Sequence, residues 1–403
     1  MNLNKSLKSF KANYLNHSSN IYYLVMGLFF SSIINTSLQG TFHNYLNDIF
    51  QIGADQRGLV EFPRELPGLL TFFLISFFIF LGEIKLISFS IILTGIGLLG
   101  LGFLSPNFSS MIFFMFIWST GMHIHVSLRE PVALELSSDP SQRGTILGKL
   151  NAVRSIGIIA GTSLIWLLMG KFKFNYAQMY LGGFFISLVS AGFYAKIKIK
   201  KKKEKVGKFK FILKRKYILF YILSALFGVR KQLFLVFGPW LLIKFYDQKP
   251  EDLAKLLLIS AFLGILVKPY LGRLVDRWGE RQVLFYDAIL IFILSLTYGL
   301  APKFFSTSIS LLILYACFIL DELLFSLRIA RTTYLHKIIE SQKDFTPTIS
   351  MGISIEHLVS MIAPIFAGFI WIKFGYLPVF IIAAFFACLS ALLTLKMPIK
   401  IKK

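Results

Sequence analysis

The sequence predicts an all-α integral membrane protein with twelve transmembrane helices in two halves of six. Of its 403 residues, 56% are hydrophobic and 16% are charged, whereas roughly 25% are charged in a typical soluble domain. The mean hydropathy is +0.68. The apolar residues also fall in blocks of about 20, the length that a helix needs to cross ~30 Å of hydrocarbon. Finally, Lys and Arg are concentrated in alternate loops, as in multi-pass membrane proteins.

Twelve apolar blocks are predicted as spans, and the first is too long for the apolar part of a signal peptide, so we expect an uncleaved first helix. The predicted spans are Ile21–Phe42, Gly58–Phe80, Leu86–Leu104, Ser109–Leu136, Ile146–Met169, Tyr176–Ala195, Tyr217–Ile243, Leu253–Leu271, Val283–Ala301, Thr307–His336, Thr348–Ile372 and Leu377–Leu395. We therefore expect an N-terminal six-helix bundle at residues 1–195, a basic cytoplasmic linker at 196–216 and a C-terminal six-helix bundle at 217–403.

The loop charges predict the orientation. If the N-terminus is cytoplasmic, the inner segments hold 29 of the 43 Lys and Arg residues and the outer loops hold 7. This imbalance predicts a cell (inner) membrane protein with both termini inside. The net charge of +23 is then mainly an orientation signal facing anionic inner-leaflet lipid. We accordingly interpret Lys200–Lys203 as a solvated linker and not as a nucleic-acid site.

The two halves show weak self-similarity, which indicates parallel repeats of six spans. Leu128-Arg129, followed by Leu136, recurs as Leu327-Arg328, followed by Leu335. The fourth span thus corresponds to the tenth and the fifth to the eleventh.

The loop between the eighth and ninth spans, Gly272-Arg-Leu-Val-Asp-Arg-Trp-Gly-Glu-Arg281, resembles the signature loop of the major facilitator superfamily, G-x-L-x-D-R-x-G-x-R. The resemblance extends to the twelve spans and the long central linker, and it implies a secondary transporter whose two bundles surround a central cavity. In that family the loop latches one conformation. The resemblance therefore assigns gating to Gly272, Asp276, Arg277, Gly279 and Arg281.

Elementary chemistry supports parts of this assignment. Gly272 would allow close helix approach, Gly279 would permit a tight turn, and Asp276 could accept backbone N–H bonds or pair with an arginine. The alternative is that the arginines only keep the loop inside. The matching loop of the first half, Leu81–Lys85, keeps only the glycine Gly82, so the signature is unequal between the halves.

Charged residues inside the spans are the best site candidates, because a charge at the bilayer centre costs about 2.5–3.5 kcal/mol on insertion scales. Glu61, Arg64 and Glu65 share one face of the second span. We expect Arg64 to pair with Glu61 and to leave Glu65 as a spare carboxylate that could carry a proton. The alternative is a hydrated charge cluster at the external end of the helix.

A second group of candidates follows from the resemblance, since the first, fourth, seventh and tenth helices line the central cavity of the superfamily. We expect Asp321 or Glu322 to neutralise Arg230 or Lys231; one member of this cluster could then exchange its partner for a proton or an anionic substrate. The alternative is a permanently locked salt bridge. The remaining candidates for binding or coupling are Arg129, Glu130, Arg154 and His357.

Several patterns are interpreted as packing. Gly95-x-Gly97-x-x-Gly100 fits a dinucleotide fingerprint but lies inside an apolar span, so it indicates helix packing. His123 and His125 do not share a helix face, which argues against a metal pair. Gly157 and Gly161 match only part of the drug-antiporter motif of the superfamily and are read as a small-residue packing face.

The sequence thus favours a secondary transporter of a small polar solute. The basic residues in the spans weakly favour an anionic solute, and protons are the candidate coupling ion. One alternative is an efflux antiporter for hydrophobic cations; another is a lipid flippase or a membrane enzyme. No Walker loop, nucleophile elbow or His-rich cluster supports an enzyme. We expect a monomer with no cofactor and no metal, which binds a small-molecule substrate within the lipid bilayer.

Overall fold

The structure, a computed structural model, describes residues 3–136, 143–198 and 212–398. The described residues contain helices and no strand. All six predicted spans of the first half are helical: α1 Leu3–Phe50, α2 Ala54–Phe78, α3 Glu83–Phe103, α4 Phe108–Glu135, α5 Arg143–Ile165 and α6 Tyr176–Ala195. Helix α5 continues into a π turn at Trp166–Lys171. The run Lys200–Lys203 lies outside the described residues.

The second half supplies six further helical segments, two of which change their pitch. They are α7 Arg215–Tyr246, α8 Pro250–Trp278, α9 Glu280–Phe304, α10 Thr307–Ile338, α11 Gln342–Phe374 and α12 Tyr376–Thr394. Helix α7 contains a π turn at Leu233–Phe237, and α10 contains a 3-10 turn at Phe325–Arg328. Both changes fall beside charged residues that the sequence places in the membrane.

Ten of these segments are long and apolar enough to cross a membrane by length and composition. The other two predicted spans, α2 and α6, are helices of 25 and 20 residues. Charged residues are concentrated in α2 between Asp55 and Glu65. The fold is therefore all-α, and each of the twelve predicted spans is helical.

The chain divides into two compact units. The first unit comprises Met1–Thr41 and Leu70–Val206, and the second comprises Phe42–Leu69 and Gly207–Lys403. Helices α1 and α2 therefore each contribute residues to both units. The first part of α2, which carries Glu61, Arg64 and Glu65, belongs to the second unit.

Small residues hold the helices of the first unit together. In α3, a Cβ on Gly97 would lie 2.5 Å from the backbone nitrogen of Trp118 in α4, and one on Gly95 would overlap Ser187 in α6. In α5, a Cβ on Gly157 would lie 2.5 Å from the Ser32 Cβ in α1. The predicted packing roles of these glycines are confirmed, because each leaves room for a neighbouring helix.

Three glycines that precede helices, Gly82, Gly279 and Gly375, adopt the backbone region of positive φ. Gly279 separates α8 from α9 with φ of 83°, which confirms the tight turn predicted there. Gly82 precedes α3 with φ of 79°. Only glycine adopts this region without a steric cost. Gly82, the glycine that the first-half loop shares with the signature, thus has a positive φ like that of Gly279 in the second-half loop.

Ion pairs join Lys214, which directly precedes α7, to the turn between α10 and α11 and to the first turn of α11. Lys214 Nζ lies 2.6 Å from Asp344 Oδ2 and 3.1 Å from Glu340 Oε2. Tyr217 accepts a hydrogen bond of 3.1 Å from the Glu340 backbone nitrogen. Hydrogen bonds to Asp344 and then to Glu340 raise the pKa of Lys214 above its ordinary value, so this amine stays charged at neutral pH.

Replacing Gly97 with alanine should destabilise the first unit, because the added methyl group would meet the Trp118 backbone. We expect a loss of about 1–3 kcal/mol in the free energy of unfolding, typical of overpacking. Gly182→Ala is the matched control, since no atom lies within 4 Å of its added Cβ. Thermal unfolding in detergent measures both variants, and equal stability of the two would contradict this packing account.

Candidate functional site

Charged residues of α2 form ion pairs along one face of the helix. Glu61 contacts Arg57 at 2.7 Å and Arg64 at 2.5 Å, and Arg64 contacts Glu65 at 2.8 Å. The predicted pair of Glu61 and Arg64 is therefore confirmed.

These carboxylates are buried. Glu61 is 0% exposed and Glu65 is 3% exposed, and at a rise of 1.5 Å per residue they lie roughly 10 Å and 16 Å along the axis from Ala54, where α2 begins. The alternative of a hydrated cluster at the helix end is wrong, because α2 starts earlier than the sequence predicts.

The interpretation of Glu65 as a spare carboxylate is also wrong. Its Oε2 atom lies 2.9 Å from His357 Nδ1 in α11 and 3.5 Å from Lys231 Nζ in α7. With Arg64, this carboxylate therefore has three nitrogen partners on three helices. Spacing along the sequence reveals the partner on the same helix but not the two on other helices.

The ion pairs continue across the second unit. Glu356 of α11 lies 3.5 Å from Lys231 and 3.5 Å from Arg331 of α10. Seven charges thus alternate in sign, and each carboxylate lies between two cations. We call this set the ion-pair chain: Arg57, Glu61, Arg64, Glu65, Lys231, Glu356 and Arg331.

Gln232 and His43 contact the Arg57–Glu61 end of the ion-pair chain. Gln232 Nε2 donates to Glu61 Oε2 at 2.7 Å and to the Ser360 carbonyl oxygen at 3.2 Å. His43 Nδ1 lies 3.2 Å from an Arg57 nitrogen. Gln232 is the last residue before the π turn of α7, and such turns are frequent at functional sites.

Helices α2 and α11 approach closely beside these charges. A Cβ on Gly58 would overlap the Pro364 carbonyl oxygen, and one on Gly368 would overlap the Ala54 carbonyl oxygen. The two backbones are therefore in contact at two positions. This contact brings Glu65 of α2 within reach of His357 of α11.

A second cluster surrounds Arg230 in α7. Its guanidinium lies 3.0 Å from Asp287 of α9 and 3.2 Å from Asp321 of α10. The predicted pairing of Arg230 with Asp321 is confirmed. Of the two cations considered, Arg230 is the one that pairs with an acidic residue of α10, whereas Lys231 lies 3.5 Å from both Glu65 and Glu356.

Sequence reasoning missed four members of these clusters. Asp287 and Arg331 lie within apolar spans, so the test for intramembrane charges could have found them. Arg331 lies near the end of its predicted span, Thr307–His336, yet its side chain is only 11% exposed. Arg57 lies one residue before the predicted start of the second span at Gly58, which is later than the observed start of α2 at Ala54. The role of Gln232 has no signal in the sequence.

The first unit holds three further candidates. Arg129, Glu130 and Arg154 line a cavity of about 200 Å³, and Arg154 donates to Asn151 Oδ1 at 3.0 Å. The two histidines of α4 have different neighbours. His125 Nε2 lies 2.9 Å from the Tyr194 hydroxyl, and His123 Nδ1 lies 3.0 Å from the Ser119 carbonyl oxygen.

The gating candidates occupy the end of α8 and the start of α9. The expected close helix approach at Gly272 is wrong in this structure, since no atom lies within 4 Å of its added Cβ. Asp276 and Arg277 are exposed. The ion pair of this loop is made by Glu280, whose Oε2 lies 2.7 Å from Lys337 Nζ of α10.

Known proteins resemble this chain in sequence family and in fold. The family model described as Major Facilitator Superfamily matches residues 24–342. None of the curated proteins matches the chain in sequence.

Three solved structures illustrate the fold, each at 14% sequence identity. A mutant of the nucleoside transporter NupG has a TM-score of 0.78, with 93% of this chain and 99% of that chain covered. A bacterial homologue of the human lysosomal transporter Spinster, inward-facing and occupied, has a TM-score of 0.71, with 95% and 96% covered. A D-xylose-proton symporter has a TM-score of 0.71, with 95% and 98% covered.

At 14% identity the similar structures show only the fold. The family model shows the family, because it matches most of the chain. The family and the fold point to a transporter and not to an enzyme. The chain is a multi-pass membrane protein that belongs to the Major Facilitator Superfamily.

Proposed function

We propose that the protein is a secondary active transporter that moves a small polar, anionic solute by alternating access, coupled to protons. The ion-pair chain is the observation that carries this proposal. It links α2, a helix of the first six spans, to α7, α10 and α11 of the last six. Two of the similar structures are a nucleoside transporter and a proton symporter, which fits a polar solute and a proton as partners.

The ion-pair chain supports alternating access because its contacts can exist in two states. Each buried carboxylate has two cationic neighbours, and removing one partner of a buried pair costs about 3–5 kcal/mol. The helices are therefore held together while every charge is paired. If one carboxylate becomes neutral, the contacts on either side of it weaken, and the helices can separate.

Glu65 is the carboxylate best placed to couple this change to a proton. It contacts Arg64 on its own helix, and it contacts Lys231 and His357 on two other helices. A proton on Glu65 would weaken both contacts to other helices at once. His357 Nδ1 lies 2.9 Å from Glu65 Oε2, so the two side chains place a proton donor and an acceptor in direct contact.

The orientation and the domain boundaries are part of the same proposal. The 29 to 7 distribution of Lys and Arg supports a cell (inner) membrane protein with both termini cytoplasmic. The six-helix halves at 1–195 and 217–403, with the linker at 196–216, follow from the twelve spans. Loop 272–281 would then lie inside, where its gating role can be tested.

Uptake into proteoliposomes against a metabolite panel, with and without a pH gradient, tests the class. We expect at least one polar anion to move, and its accumulation to need the gradient. If no solute of the panel moved under any gradient, the transport proposal would fail.

Glu65→Gln should separate transport from proton coupling. The amide keeps the size of the side chain but cannot ionise, so we expect solute exchange between the two sides to persist while uptake driven by a pH gradient is lost. Glu251→Gln, at the start of α8 and outside both clusters, is the control and should behave as wild type. Gradient-driven uptake by Glu65→Gln at the wild-type rate would exclude Glu65 as the proton carrier.

Arg230→Ala and Asp321→Ala should each abolish transport while expression stays intact. The first leaves Asp287 and Asp321 without their cation, and the second leaves Arg230 with Asp287 alone. Uptake and thermal stability should be measured together. Near-normal uptake in both variants would exclude this cluster from the substrate or coupling site.

A further inference from the structure

A cavity in the second unit lies among four helices, α7, α9, α10 and α12. Together with the space that is open to solvent, its volume is about 510 Å³. Most of its lining is apolar, and two hydroxyls are added near the end of α12 by Ser390 and Thr394. The apolar lining includes Phe227 of α7, Ile291 of α9 and Ala387 of α12.

Three arginines face this apolar cavity: Arg230, Arg328 and Arg331. The ring of Phe227 connects two of them, since the Arg331 guanidinium carbon lies 3.7 Å from its centroid and that of Arg230 lies 5.7 Å away. Guanidinium groups stack on aromatic faces in this way. The ring therefore fixes two cations in the wall.

The three arginines differ in whether a carboxylate compensates their charge. Arg230 is held by Asp287 and Asp321. Asp287 is the acidic residue that lines the cavity, and its negative charge is compensated by Arg230. The charges of Arg230 and Asp287 compensate each other, so these two residues alone do not indicate a bound ligand.

Arg328 is different, because within the described part of its unit no carboxylate lies within 4 Å of it. It is exposed, and its guanidinium carbon lies 5.4 Å from the centroid of Phe325, three residues earlier on the same helix. A guanidinium carries five N–H donors. Arg328 therefore presents donors at the cavity with no acidic partner.

Arg331 provides a second unsatisfied donor. Its terminal nitrogen pairs with Glu356 at 3.5 Å, but its Nε atom is buried and has no hydrogen-bond acceptor in the structure. A buried polar group without a partner costs about 1–3 kcal/mol. An anion placed between Arg328 and Arg331 would satisfy both arginines.

We infer that this cavity binds an organic anion with an apolar body, a carboxylate or phosphate monoester carried on a short hydrocarbon group. The anion would contact Arg328 and Arg331, and the hydrocarbon would lie against the apolar lining. This inference rests on the proposed function, since it names the class of the transported solute. Binding can nevertheless be measured without transport.

Calorimetry on the full-length protein in phosphatidylcholine nanodiscs tests the inference. The probes are hexanoate and hexyl phosphate, compared with acetate and inorganic phosphate, which lack the tail, and with hexylammonium, which reverses the charge. We expect at least one tailed anion to bind at one site per protein. The tailless anions and hexylammonium should bind at least tenfold more weakly.

Arg328→Gln should weaken binding of the tailed anion by about tenfold or more, the equivalent of one charge-assisted contact. Arg273→Gln is the matched control, because Arg273 is also exposed and lies over an aromatic ring three residues earlier, that of Tyr270, at 5.9 Å. It does not line the cavity, so its affinity should stay at the wild-type value. Ala387→Leu should reduce the affinity by filling the cavity, at an unchanged melting temperature.

Several outcomes would overturn the inference. These are no binding of either tailed anion, equal binding of hexylammonium, equal binding of the tailless anions, or wild-type affinity in Arg328→Gln. Loss of binding when phosphatidylglycerol is added to the nanodiscs would assign the cavity to a lipid and overturn a soluble solute. If the tailed anion binds through Arg328 but no solute of any panel is transported, the transport proposal fails and the site stands.

Discussion

The cost of burying charge is the constraint on which the second unit depends. Taking an ion out of water costs several kcal/mol, which is recovered only when partners and hydrogen bonds surround it. The ion-pair chain meets this requirement because its cations and carboxylates alternate over four helices. Three other features bring these charges together. They are the backbone contact of α2 with α11 at Gly58, the π turn that follows Gln232, and the start of α2 at Ala54.

The ion-pair chain and the cavity share Arg331, and under the proposed function this residue gives a physical route from a bound anion to Glu65. Arg331 ends the chain at Glu356 and also lines the cavity. An anion bound to Arg331 would compete with Glu356 for the same guanidinium. Glu356 would then rely more on Lys231, which in turn holds Glu65. Occupancy of the cavity can therefore change the electrostatics at Glu65, three ion pairs away.

The parts of this structure that could be predicted from the sequence are those governed by local rules. Span lengths follow from bilayer thickness, the Gly279 turn from backbone sterics, and the Glu61–Arg64 pair from helical spacing. The partners of Glu65 and Lys231 could not be predicted, because they depend on which helix faces pack together. The pairing of Arg230 with Asp321 was reached through the superfamily resemblance, whereas Asp287 was overlooked, although a charge in an apolar span is a local signal.

The most direct test of the account is the distance between α2 and α11. Spin labels at Gln56→Cys and Lys373→Cys, both exposed positions, can be placed in a background of Cys317→Ala and Cys388→Ala and measured by pulsed electron resonance. The account predicts one short distance at neutral pH, and a second, longer population at acidic pH and in Glu65→Gln at any pH. An identical distance distribution under all three conditions would contradict the claim that protonation of Glu65 releases these helices.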